Sequence, residues 1–81
     1  MNFSDALDFA RNGKRIARAG WNGKGMFVFY VTGGYMTVNF TDGNPEERRL
    51  LPHLIMSTVT GDLVPWLCSQ TDMLAEDWGV V

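Results

Sequence analysis

The 81-residue chain has one cysteine, Cys68, and one histidine, His53. It can form no internal disulfide and no conventional Cys/His zinc site, so two of the usual supports of a small domain are excluded. Bases are also scarce. Seven Lys and Arg against nine Asp and Glu give a net charge of −2, which excludes a generally basic binder of DNA or RNA. No apolar run approaches the roughly 18 residues of a membrane helix, so no membrane association is expected. Asp5 and Asp8 interrupt the opening segment, no signal peptide is read there, and a reduced, cytoplasmic setting is expected. With no repeat, no low-complexity tract and no linker, residues 1–81 read as a single domain.

Apolar surface, by contrast, is plentiful. Hydrophobic residues make up 46% of the chain and charged ones 20%, more apolar surface than one small core hides. A chain of this length buries only about 60–65% of its unfolded surface. Oligomerisation is the remaining support, with part of the apolar surface expected between subunits.

The order of elements follows from caps and periodicity. Asn2 is an N-cap with Asp5 as its partner, and Phe3, Ala6, Leu7 and Ala10 recur at helical spacing up to a stop at Gly13. Lys14–Ala19 reads as a short, half-exposed strand, followed by the glycine-rich turn Gly20–Gly25. Met26–Val31 is an unbroken apolar run, the pattern of a strand covered on both faces, by the helix and by another subunit. Tyr35–Phe40 is a further strand, while Thr41–Leu51 is polar and reads as a loop. His53–Thr58 and Asp62–Leu67 form a hairpin around Thr60-Gly61, with Pro65 marking an edge or bulge. Ser69 caps a helix of about two turns, Gln70 to Glu76, and Asp77–Val81 returns as a short strand. The class is α+β: a small antiparallel sheet of five or six strands, an N-terminal helix on one face and a short helix near the C-terminus.

Charge is segregated along the chain. Arg11, Lys14, Arg15, Arg18 and Lys24 lie in the first 24 positions, whereas Asp62, Asp72, Glu76 and Asp77 lie in the last 20. Either two solvated faces or a basic strip meeting an acidic one is compatible with this pattern.

Few residues could carry chemistry. His53 in a strand reads as structural, and Cys68 as a small packed residue, although a cap position can lower a thiol pKa. Asp72 and Glu76 share a helix face, but two carboxylates do not make a calcium site. No catalytic residue or metal ligand is assigned, and the chain reads as a non-enzyme needing no cofactor. Binding has more to work with. Trp21 sits in a glycine-framed turn, and Trp66 lies three residues before the Ser69 cap. An aromatic plate beside free backbone N–H groups suits a nucleotide. Both tryptophans could equally be core or interface residues. Trp78 reads as packing.

The stretches Ala17–Phe27 and Val64–Trp78 closely resemble the Thoeris anti-defence two family of small phage and prophage proteins. With the N-terminal helix they span more than half the chain. The resemblance implies a sponge that binds glycocyclic ADP-ribose, the cyclic ADP-ribose signal made by a TIR-domain enzyme of bacterial Thoeris defence. The signal is sequestered without cleavage and the effector stays off. The resemblance further implies homotetramers of paired subunits with ligand pockets between protomers, action in the bacterial cytoplasm, and in some members separate sites for cyclic oligonucleotides. Carried onto this sequence, the pocket residues are Trp21, Asn22, Gly23, Trp66, Ser69, Thr71 and Asp72. Asp72 falls to ribose hydroxyls or to the helix cap. The alternative from another class is a protein-interaction module that inhibits a host defence enzyme directly.

Overall fold

A computed structural model describes all of residues 1–81. Helix α1 spans Phe3–Arg11, capped as its sequence dictates: the Asn2 side chain accepts the Asp5 N–H at 2.9 Å. Gly13 leaves the helix at φ 88°, a left-handed conformation that glycine adopts without a steric penalty. Seven strands follow, β1 (Ile16–Arg18), β2 (Phe27–Val31), β3 (Gly34–Val38), β4 (Glu46–Leu50), β5 (His53–Ser57), β6 (Leu63–Pro65) and β7 (Trp78–Val80). The one-turn helix α2 (Gln70–Met73) lies between the last two.

Five strands form an antiparallel sheet in the order β6-β5-β2-β1-β7. The edge position expected for Pro65 is met, since β6 ends the sheet. Helix α1 lies across β2, β1 and β7. It presents Ala6 and Ala10, both fully buried, to Ile16, Val28 and Trp78. Two alanines on one helical stripe let the helix approach the sheet closely. Burying Ile16 and Val28 contributes about 1.5–3 kcal/mol each. These five residues are the whole fully buried apolar core.

Period-2 alternation places the partners of Ile16 and Val28 on the helix side and Phe27, Phe29 and Val31 on the other. Ile55 lies opposite Phe29, His53 opposite Val31 and Ser57 opposite Phe27, so they share that outer face. One side of the Met26–Val31 run is covered by its helix; within one chain, no helix covers the other.

Residues 41–45 form the turn that their polarity suggests, but the rest of the expected 41–51 loop does not stay irregular. Glu46–Leu50 is strand β4, paired with β3 in a separate two-stranded sheet, Thr37 opposite Glu47 and Met36 opposite Arg48. The strand has no apolar alternation because both of its faces are exposed; its sequence instead offers the Arg48–Glu46 ion pair at 2.9 Å. The hairpin stands away from the body as an arm. It stretches the molecule to 46 × 25 × 22 Å with a radius of gyration of 15.1 Å, against about 12 Å for a compact chain of this length. Helix α2 is also shorter than the sequence suggests, ending at Met73 rather than Glu76. Beyond it the chain turns so that Asp77 can reach β1.

Candidate functional site

Arg18, near the end of β1, is the centre of the site. Its Nε donates to Asp77 Oδ1 and its Nη1 to Asp72 Oδ1, both at 2.7 Å. The other oxygen of Asp77 accepts the Gly20 N–H at 2.7 Å. Asp72 Oδ1 also accepts the Trp21 indole N–H at 3.0 Å, and the Trp78 indole N–H donates to the Asp72 carbonyl at 2.8 Å. The segregated charges thus meet within one subunit, at a single knot. Arg18 and Asp72 side chains retain only 18% of their exposure.

The electrostatics follow from these contacts. Partial burial pushes the Asp72 carboxyl upward, but hydrogen bonds from Arg18, Trp21 and Ser69 outweigh it and hold the group below its ordinary value of 3.8. Asp77 is held low by Arg18 first, with the Gly20 N–H adding to the effect. The Arg18 guanidinium is raised by its hydrogen bonds to Asp77 and then Asp72. Burial, with the nearby Asp72 charge, pushes the Cys68 thiol up, away from the thiolate that a reactive cysteine needs. His53 Nδ1 is engaged with the Leu51 carbonyl at 2.8 Å, a local structural bond.

The knot fixes the loop between β1 and β2. Trp21 packs edge-on against Trp78, with ring centroids 5.3 Å apart, and against Trp66 at 6.3 Å. Phe3 completes the aromatic cluster against Trp78 and Trp66. Gly23 is needed for close approach, though to protein: a β-carbon there would overlap the Met26 sulfur and the Val59 side chain. Gly25 turns the loop into β2 at φ 79°.

Where this loop closes the end of the sheet lies a cavity of about 520 Å³, within the size range of small-molecule sites. Trp21, Met26 and Phe27 are among its apolar lining residues, and Arg15, Arg18 and Lys24 are its cations. The Arg15 guanidinium lies over the Phe27 ring, 4.6 Å from the centroid. This pair also borders a second cavity of about 360 Å³ beside Phe29 and Leu63.

Of the seven residues singled out in the sequence, Trp21 and Gly23 line the larger cavity. Asp72 stands behind it, tied to Trp21 and Arg18. Trp66 packs against the core cluster. Ser69 caps α2, its hydroxyl accepting the Asp72 N–H at 3.1 Å, and Asn22 and Thr71 are exposed. Arg15, Arg18, Lys24, Met26 and Phe27, which also line the cavity, were not among those seven. The alternation of β2 with Ile16 and Val28 inward was the signal that could have placed Arg15 and Phe27 together.

A family model for the Thoeris anti-defense 2-like domain matches residues 1–81. The chain belongs to this family. It is also 36% identical over 84 residues to the protein Thoeris anti-defense 2 of Bacillus phage SP01, an alignment covering 100% of this chain and 94% of the phage protein. Membership is thus established over the whole domain rather than over the two motifs alone, and the arm and the helix α1 belong to the matched region. No helix of this family member is long and apolar enough to cross a membrane.

Proposed function

We propose that the chain is a phage anti-defence sponge that binds glycocyclic ADP-ribose and sequesters it uncleaved, so that the Thoeris effector of the bacterial host stays off. The observation that carries this reading is the placement of Trp21. The ring lines a cavity of about 520 Å³ while its N–H is fixed by Asp72, so an aromatic surface is pre-set before any ligand arrives. Stacking of a base on such a ring is worth about 1–3 kcal/mol. Family membership over residues 1–81 supplies the anti-defence context. A sponge needs affinity and stoichiometry only, and each tenfold tightening is about 1.4 kcal/mol of binding.

The same reading makes the chain a homotetramer of paired subunits acting in the host cytoplasm, with ligand enclosed between protomers. Two observations support assembly. The outer sheet face carries Phe27, Phe29, Val31 and Ile55 with no helix over it, and the arm is a two-stranded hairpin, which is marginal in water by itself. A direct inhibitor of a host defence enzyme is the second reading, favoured by Leu67 and Leu74, 92% and 76% exposed beside α2. Native mass spectrometry with glycocyclic ADP-ribose separates the two. Tetramers gaining the mass of intact nucleotide support sequestration; a nucleotide-free protein that instead forms a stable complex with a Thoeris enzyme overturns it.

A further inference from the structure

We propose that Arg15 and Lys24, and not Arg18, are the cations that hold the phosphates of a dinucleotide in the Trp21 cavity. This deepens the sequestration reading and rests on it. Three cationic side chains line the cavity, and they are electrostatically unlike. Arg18 spends Nε on Asp77 and Nη1 on Asp72, so that the three groups together carry a net negative charge. An incoming phosphate meets repulsion there. Arg15 and Lys24 have no carboxylate within ion-pair distance, since the chain's ion pairs use Arg11, Arg18 and Arg48. They are the two cavity cations with charge to give.

Geometry favours the same pair. The Arg15 guanidinium lies 4.6 Å over the Phe27 ring, which restrains the side chain without occupying its N–H donors. Five such donors in a planar fork match phosphate oxygens. Lys24 precedes Gly25 in the loop that Trp21 opens. The indole N–H edge of Trp21 is tied to the acidic knot, and the two free cations belong to the same cavity as its ring. A ligand with a base on Trp21 and its phosphates directed to Arg15 and Lys24 avoids the repulsive side. The ligand class is therefore an anionic dinucleotide with a pyrophosphate bridge, and a neutral nucleoside uses only the aromatic wall.

The test is calorimetric titration of glycocyclic ADP-ribose, the cyclic ADP-ribose of the sequestration reading, with adenosine as the phosphate-free probe, into the parent protein, Arg15→Gln, Lys24→Gln, the double variant, Arg15→Lys, and Lys14→Gln as a control outside the cavity. Loss of one charge-assisted contact is expected to weaken cyclic ADP-ribose binding about tenfold or more. The double variant is expected to lose more, with a flatter dependence on salt. Arg15→Lys retains part of the affinity, Lys14→Gln keeps all of it, and adenosine binding stays the same throughout. Melting curves establish that each variant is folded. Parent binding that the folded double variant reproduces overturns this inference and leaves the sequestration reading standing. Equal losses for adenosine and cyclic ADP-ribose overturn it also, because the cations then shape the aromatic wall instead of holding phosphate. A parent protein that does not bind glycocyclic ADP-ribose overturns both.

Discussion

Arg18 and Asp72, 54 positions apart in sequence, meet at 2.7 Å, and the same carboxylate oxygen takes the indole N–H of Trp21. One aspartate thus couples β1, the loop that follows it and α2. Asp77 closes the arrangement on the other edge of the guanidinium. Arg18→Lys is expected to lower the melting temperature nearly as much as Arg18→Met. A lysine ammonium is a point charge on a flexible stem and does not reproduce a planar fork held between two carboxylates. Arg11→Met, which removes only an exposed contact to Asp8 at 3.9 Å, is expected to change little. Thermal melts of the three variants check this ordering.

The same knot sets a pH dependence. Asp72 and Asp77 are both held below 3.8 in the folded protein. Depressed carboxyls contribute stability that is present above their unfolded value and is lost as pH falls through the folded value. Stability is therefore expected to decline as pH drops from about 4. Asp72→Asn/Asp77→Asn flattens that decline and lowers stability at neutral pH. Denaturant unfolding across the acid range reads the slope. Hydrogen bonds to Asp77 and then Asp72 push the Arg18 guanidinium up, so its charge contributes throughout the working range and is lost only in strong alkali.

Trp21 is neither a free plate nor a core residue alone. It packs on Trp78 and Trp66 while lining the cavity. Trp21→Ala is expected to cost about 3 kcal/mol of stability, the low end for a large aromatic because the ring is only half-buried, and to lose the stacking contribution to ligand affinity. Trp21→Phe keeps a ring but removes the N–H to the ionised Asp72 carboxylate, a loss of about 1.5–3 kcal/mol, with ligand binding largely retained. Paired melts and titrations separate the two effects.

Caps and glycines were legible in the sequence because each acts locally. Asn2, Gly13, Gly61 and Ser69 all stand where their turn chemistry requires. The hairpin of β5 and β6 and the edge position of Pro65 followed from the same kind of signal. Strand β4 was not legible. Glu46-Glu47-Arg48-Arg49 has no buried face, and its pairing with β3 is set by the neighbouring strand rather than by its own pattern. The site was half legible for a related reason. Trp21 stood out by type and by its glycine neighbours, whereas Arg18 and Trp21, the distant partners of the Asp72 carboxylate, lie 54 and 51 positions from it and no local rule connects them. The place of Asp72 in the Ser69 cap was legible, whereas the ion pair with Arg18 and the contact with the Trp21 indole were not.

The arm offers a separate test of assembly. Replacing residues 35–49 by a short Gly/Ser linker leaves the five-stranded sheet and its core intact, because β3 and β4 pack chiefly on each other. The shortened chain is expected to stay folded and to fall to a smaller assembly. Light scattering beside circular dichroism reads both. An unchanged tetramer would show that the outer sheet face alone carries assembly, and a 9.1 kDa parent species would contradict assembly altogether.

Sequestration itself is tested most directly by release. Purified protein in excess is incubated with glycocyclic ADP-ribose, the free nucleotide is measured after ultrafiltration, and the retained fraction is heated and analysed by mass spectrometry. The predicted result is near-complete depletion of free signal followed by recovery of the intact cyclic nucleotide on denaturation. Undiminished free signal, or recovery of a linear or hydrolysed product, would contradict it.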